Sequence, residues 1–274
     1  KKAFHQDDDV FDTWFSSGQW PFAALGYPDS RDFKTYYPTD VMETGRDLIF
    51  FWIPRMVIFG LYLTGKAPFH TVYLHGMVND KNGKKMSKSK GNVVSPIELT
   101  DKYGADALRI GLVIGNTPGN DIALVEDKIK GYKHFCNKIW NATRFVLTNI
   151  GDTTLDTPRP ALIARDEEIL AELSATTASI TAHLENFRFH LAGEELYHYF
   201  WHTFADIIIE EMKPRLSSDD EVSKKSAQWV LLHILATNIK MLHPFIPFIT
   251  EELWSILPRH EKSLLIIEPW PKPF

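Results

Sequence analysis

The sequence lacks most features that would fix or address a protein outside a reducing compartment. Its one cysteine, Cys136, excludes an internal disulfide and a cysteine-built zinc site. No secretory leader is visible. The longest apolar stretch starts at Phe50 but is flanked or interrupted by Arg46, Asp47, Arg55 and Lys66 and contains Pro54, which argues against a membrane span. An excess of positive charge is also missing: 30 Lys and Arg face 35 Asp and Glu, a net charge of -5, so any contact with nucleic acid has to come from local patches. There is no Walker-type glycine loop, no GxSxG and no HExxH. The first residues, Lys1-Lys2-Ala3-Phe4-His5-Gln6, hold no initiator methionine, and a piece of a longer cytoplasmic protein is expected.

With 44% hydrophobic and 24% charged residues, the chain reads as ordinary globular protein, long enough for two domains. Residues 9–15 alternate as a strand would, before Ser16-Ser17-Gly18 breaks the pattern. Pro38 to Glu43 is a second strand candidate. A helix is expected from Thr44, with Thr44 and Asp47 as a capping box, to about Leu63. It is apolar nearly all round, so it should be buried, and Pro54 should bend it. Thr71 to Val78 is a third strand. Strand, helix, strand implies a parallel sheet, and ligands bind at the carboxyl ends of such strands. Trp14, Gly45, Asp47 and His75 fall at or beyond those ends.

From about Glu126 the pattern changes to helices, expected near 123–149, 164–186, 189–212, 219–242 and 249–257. This predicts an antiparallel helical bundle. In the first helix Ile129, Tyr132, Cys136, Ile139, Trp140, Thr143 and Leu147 are spaced for a core face. Lys138, Asn141 and Phe145 share another face; an aromatic ring beside a lysine suits stacking on unpaired bases with a phosphate nearby, and helix packing is the competing role for Phe145. Arg144 is a further phosphate contact. His198 and His202 are four residues apart, but no third ligand accompanies them, so packing is preferred to metal binding.

Between strand and bundle lies Asn82-Gly83-Lys84-Lys85-Met86-Ser87-Lys88-Ser89-Lys90-Gly91-Asn92, which with Lys81 crowds five lysines into a glycine-bracketed loop. Such a loop can close over a polyphosphate and neutralise charge developing on it. The string Lys85-Met86-Ser87-Lys88-Ser89 resembles the second signature of class I aminoacyl-tRNA synthetases. Asp12 to Gly18 and Thr44 to Trp52 resemble the branch that charges branched aliphatic amino acids, and Lys138 to Phe145 and His243 to Phe248 resemble its anticodon-binding bundle. The resemblance covers nearly the whole chain.

It implies an α/β then all-α chain: half of a Rossmann-like parallel sheet in residues 1–125, then a helical anticodon-binding bundle in 126–274. It implies ATP-dependent activation of valine, with Mg2+, and transfer to tRNA(Val); specificity for isoleucine or leucine, or a non-catalytic tRNA-binding module, are the alternatives. Gly45 and Asp47 would contact the ATP ribose, and His75, Gly76 and Met77 would lie beside the adenine. Lys85, Ser87 and Lys88 would face the phosphates, with Lys85 and Lys88 aiding pyrophosphate departure. Trp14, Leu48 and Trp52 would wall the amino-acid pocket, and Lys138, Asn141, Arg144 and Phe145 would meet the tRNA. The upstream histidine signature and the editing insertion of the family have no counterpart here, so this piece alone is expected to be inactive. A monomer without membrane contact is expected.

Overall fold

The structure, a computed structural model, describes residues 5–87, 89 and 91–274. The chain forms two compact units. One runs up to Met77 and takes in Thr117–Ile122; the other comprises Val78–Asn116 and Ala123–Phe274. This division differs from a single boundary at residue 125: the stretch around the lysine loop clusters with the bundle, because its two helices pack onto the first bundle helix.

In the first unit, β1 (Thr39–Gly45) pairs in parallel with β2 (Phe69–His75), in a register that sets Thr39 opposite Phe69 and Gly45 opposite His75. Parallel neighbours need a crossover, and it contains helix α4 (Trp52–Thr64). Three short helices precede β1: α1 (Thr13–Gly18), α2 (Trp20–Ala23) and α3 (Arg31–Tyr36). The strand expected over 9–15 is replaced by α1. The Asp12 carboxylate accepts from the Trp14 amide at 2.6 Å and caps the helix. Gly18 lets α1 settle onto α4, since a Cβ there would come within 2.7 Å of the Phe59 ring.

The expected helix start at Thr44 is also displaced. β1 continues through buried Thr44 to Gly45, a 3-10 turn spans Arg46–Leu48, and α4 covers Trp52–Thr64. Pro54 therefore falls in the first turn of α4, where an amide has no helical partner to lose, and its expected bend has no cause. Ile53, Met56 and Gly60 form the buried face, against Met42 and Phe69. The expectation of a wholly buried helix fails on the other side, where Ile58 and Tyr62 are exposed.

The second unit begins with the lysine loop, followed by α5 (Pro96–Tyr103) and α6 (Ala105–Val113). Leu99, Ala107 and Leu108 from this pair pack with Ile129 of α7 (Glu126–Asn149). The bundle continues through α8 (Ala164–Glu185), α9 (Phe189–His198), a π-helical stretch Tyr199–Ile208, α10 (Ile209–Leu216), α11 (Glu221–Leu242) and α12 (Pro247–Ile256). The widened π turns bury Tyr199, Phe200, Phe204, Ala205 and Ile208 together, where a uniform helix was expected. On α7 the buried stripe is Ile129, Phe135, Ile139, Ala142 and Val146, together with the expected Thr143. Trp140, expected in that stripe, stands one residue round from Ile139 and is 42% exposed.

Cys136 lies half-buried on α7, and burial pushes its thiol up to about 12. A thiol in that state holds little thiolate at neutral pH. Iodoacetamide at pH 7.5 should therefore label the folded chain at least ~10-fold more slowly than the urea-unfolded chain. Equal rates would contradict the burial.

Candidate functional site

The carboxyl ends of β1 and β2 bring three expected site residues together. Gly45 and His75 are register partners. A Cβ on Gly45 would sit 2.8 Å from Asp47 Oδ1 and 3.7 Å from His75 Cε1, so glycine lets the carboxylate lie close to the strand end. Asp47 is exposed in the 3-10 turn, and Leu48 beside it is half-buried. His75 Nε2 lies 3.3 Å from Glu43 Oε1 and Nδ1 lies 2.8 Å from the Gly76 carbonyl, so both ring nitrogens face oxygen atoms.

Beyond the strands, Asp121 organises the end of the sheet, which the sequence did not suggest. Its Oδ1 accepts the Met77 amide at 2.8 Å and its Oδ2 pairs with Arg46 at 3.0 Å. Arg46 also donates to the Gly119 carbonyl at 2.8 Å, and the Met77 carbonyl accepts from the Ile122 amide at 3.0 Å. Both backbone groups of Met77 are thus engaged.

Trp14 and Trp52 line different cavities. Trp52 donates from Nε1 to the Ser17 carbonyl at 2.9 Å and lies 5.9 Å from the Trp20 ring. With Trp20, Met42, Glu43 and Phe69 it lines a cavity of about 370 Å³. Trp14 instead lies under the Arg55 guanidinium at 4.7 Å, in a second hollow with Asp12 and Ile58. Trp20 and Glu43 were not among the expected site residues; their only signal was proximity to the matched strings.

In the other unit the signature loop is built on Asp80. Its carboxylate accepts from the Asn82 and Lys84 amides, each at 2.9 Å, and from Asn92 Nδ2 at 2.8 Å. The hydrogen bond from Asn92, then that from Lys84, holds the buried carboxyl below the usual range. Lys84 and Lys85 are exposed and, among the described residues, make no ion pair. Ser87 Oγ lies 3.2 Å from Ser89 Oγ. Lys88 and Lys90 lie outside the described residues.

On the bundle, Lys138 pairs with Asp206 at 2.6 Å, with its ammonium 5.8 Å from the Trp201 ring. Phe145 is half-buried against the core, so packing occupies much of its ring. Asn141 and Arg144 are exposed, and Arg144 shares a shallow hollow with Trp140, Thr148 and Ile256. His202 pairs with Asp206 at 3.6 Å. Among the described residues no three His, Cys, Asp or Glu gather as metal ligands, and no helix is long and apolar enough to cross a membrane.

Two family models match the chain. That described as tRNA synthetases class I (I, L, M and V) matches residues 1–125, and that described as anticodon-binding domain of tRNA ligase matches residues 166–274. Residues 1–125 therefore carry a class I tRNA synthetase domain, and residues 166–274 an anticodon-binding domain. The valine–tRNA ligases of Geobacillus stearothermophilus and Carboxydothermus hydrogenoformans are each 47% identical over 98% of this chain. The chain spans about a third of their length, 31% and 30%. Among solved class I synthetases, the LeuRS of Agrobacterium radiobacter K84, in complex with tRNA and LeuAMS, matches 98% of this chain and 33% of its own at TM-score 0.82 and 24% identity. Mycobacterium tuberculosis methionyl-tRNA synthetase bound to methionyl-adenylate matches 85% of this chain and 47% of its own at TM-score 0.71 and 22% identity. These two likenesses establish the shared fold.

Proposed function

We propose that the chain supplies the nucleotide-binding strand ends, the signature loop and the anticodon-binding bundle of a valine–tRNA ligase. The observation that carries this reading is the gathering of Gly45, Asp47 and His75 at the carboxyl ends of a parallel pair, in a chain 47% identical to valine–tRNA ligases.

Asp47 would accept a ribose hydroxyl of ATP, in a place where Gly45 leaves room for it. His75, Gly76 and the Met77 side chain would border the adenine. Trp52 and Leu48 would bound an apolar slot for the side chain of valine, and Trp14, which lines a separate hollow, would stand outside it. Lys85, Ser87 and Lys88 would meet the phosphates. A lysine ammonium there stabilises charge that grows on the departing pyrophosphate, and this lowers the barrier more than it tightens ground-state binding. Mg2+ would arrive as part of the substrate, on the ATP phosphates. Asn141 and Arg144 would contact the tRNA(Val) anticodon arm; Lys138 would have to exchange Asp206 for phosphate, and Phe145 would offer only its open edge.

The test is amino-acid-dependent ATP–pyrophosphate exchange by a full-length polypeptide containing this chain. Valine should support exchange well above isoleucine and leucine. Lys85→Ala should lower kcat by about 10²–10³-fold with little change in the KM for valine. Preference for leucine or isoleucine, or an unaffected rate in the lysine variant, would refute the proposal.

A further inference from the structure

The signature loop is held at its base by two side chains that the proposed reaction does not use. Asp80 is buried at the entrance to the loop and Asn92 follows Gly91 at its exit. The bonds that the Asn82 and Lys84 amides donate to Asp80 Oδ1 close the entrance turn, which Gly83 makes possible at φ 74°. A backbone bond from the Asp80 amide to the Lys84 carbonyl, 2.9 Å, completes it. A simple aspartate turn would end there. Here Oδ2 also takes the Asn92 Nδ2 at 2.8 Å, across twelve residues of chain. Asn92 then spends its remaining capacity on the loop itself. Its Oδ1 accepts the Ser87 amide at 2.9 Å, and Nδ2 reaches toward the Lys85 carbonyl at 3.3 Å. One carboxylate and one amide thus tie the entrance, the exit and the backbone on either side of Met86 into a single network, while the Lys84 and Lys85 side chains stay exposed.

We infer that Asp80 and Asn92 are positioning residues that clamp the base of the signature loop and so fix the backbone from which Lys85 reaches a polyphosphate. The inference rests on the proposed synthetase reading and adds two residues to it. Its physical content is preorganisation: a lysine on an untethered loop would have to be ordered during each turnover, whereas a clamped base leaves only side-chain motion to be frozen.

The chemistry suggests a reciprocal exchange as the test. Asp80→Asn keeps an oxygen for the two backbone amides but sets an NH2 group against the Asn92 NH2, two donors face to face. Asn92→Asp set against native Asp80 opposes two carboxylates. Combining the two restores one donor and one acceptor. Hydrogen exchange of the 274-residue chain without ligand should show the Lys84 and Ser87 amides opening at least ~10-fold faster in Asp80→Asn and returning toward the native rate in the double variant. Asn92→Ala gives the same readout should Asp80→Asn fail to fold. In a full-length polypeptide, Asp80→Asn should lower the kcat of pyrophosphate exchange by about 10- to 100-fold, leave the KM for valine within about threefold, and be rescued by the second substitution.

Unchanged exchange at Lys84 and Ser87 would overturn the clamp whatever the reaction is. Faster amide exchange with an undiminished catalytic rate would overturn the positioning role. Loss of protection spread equally to buried α11 would mean a merely structural role and would also overturn it. If the unsubstituted full-length polypeptide shows no exchange with any aliphatic amino acid, the synthetase reading fails and takes the positioning role with it, an outcome visible before any variant is made.

Discussion

Replacing Arg215 with leucine should destabilise the helical bundle by about 3–5 kcal/mol, the range for removing one member of a buried ion pair. Asp166, at the start of α8, is fully buried. Arg215 on α10 grips it with both arms of its guanidinium, at 2.6 and 2.9 Å. The same guanidinium donates to Ser226 Oγ at 2.5 Å and to the Ser223 hydroxyl and carbonyl at 3.1 and 3.2 Å. One side chain therefore joins α8, α10 and the start of α11. Leucine would fill much of the space but strand a carboxylate without its cation. Arg215→Lys should recover only part of the loss, since an ammonium cannot reproduce the planar two-point grip.

The pH dependence tests the same account. Burial opposes the charge on Asp166, but the hydrogen bonds from Arg215 and Ser226 outweigh it and hold the carboxyl below its ordinary value. A carboxyl depressed in the folded state adds stability above its unfolded pKa, and that stability is lost as pH falls through the folded value. In Arg215→Leu burial is opposed only by the Ser226 and Ile163 hydrogen bonds, so the folded carboxyl should titrate well above its value in the native chain, and its penalty should shrink as it takes up a proton. The gap between native and variant should thus be widest near neutral pH and narrow toward pH 4 in urea titrations. A cost under about 1 kcal/mol at pH 7, flat with pH, would mean the pair is screened like a surface bridge.

What the sequence revealed follows from which forces are local. Helices α7, α8 and α11 start and stop within three residues of the expected positions, because apolar spacing and end signals are properties of neighbouring residues. The parallel pair is readable for the same reason. The stretch Asp9 to Phe15 misleads because an aromatic-rich alternation fits a strand and a capped helix alike; the Asp12 cap decides it. Trp140 enters the expected core through a pattern one residue too generous. The lysine loop is legible as a string, yet Asp80 and Asn92 are not, since their bond spans the loop they close. Asp121 is invisible because only the fold brings it beside Met77, 44 residues away. Cavities divide Trp14 from Trp52 through the way α1 lies on α4, which no spacing rule contains.

The other large effect is expected at Gly76, just past β2. A methyl group there would come within 1.7 Å of the Asn120 carbonyl oxygen and 2.1 Å of its carbon. Both are backbone atoms, so no side chain can rotate away. The obstructing segment is itself tied down. Gly119 donates to the Leu74 carbonyl at 2.9 Å, Ile122 to that of Met77 at 3.0 Å, and Asp121 holds Met77 and Arg46. Gly76→Ala must push this segment outward by more than an ångström and break several of these bonds. Overpacking at ~1–3 kcal/mol plus two or three hydrogen bonds at ~1 kcal/mol each puts the local cost near ~3–5 kcal/mol. The unit need not unfold to relieve it, because detaching residues 117–122 suffices. Hydrogen exchange should then show the Met77, Gly119 and Ile122 amides losing protection while the β1–β2 ladder keeps most of its own. In a full-length polypeptide, displacement of the strand end that carries His75 should lower pyrophosphate exchange by about 10²-fold, the usual cost of a misplacement of this size. Gly131→Ala on α7 is the matched control: nothing lies within 4 Å of the new methyl, and alanine should stabilise that helix by about 0.5–1 kcal/mol. If Gly76→Ala behaves like Gly131→Ala in both assays, the close approach of residues 120 and 121 to the strand end does not exist in solution, and Asp121 loses its role in organising that end of the sheet.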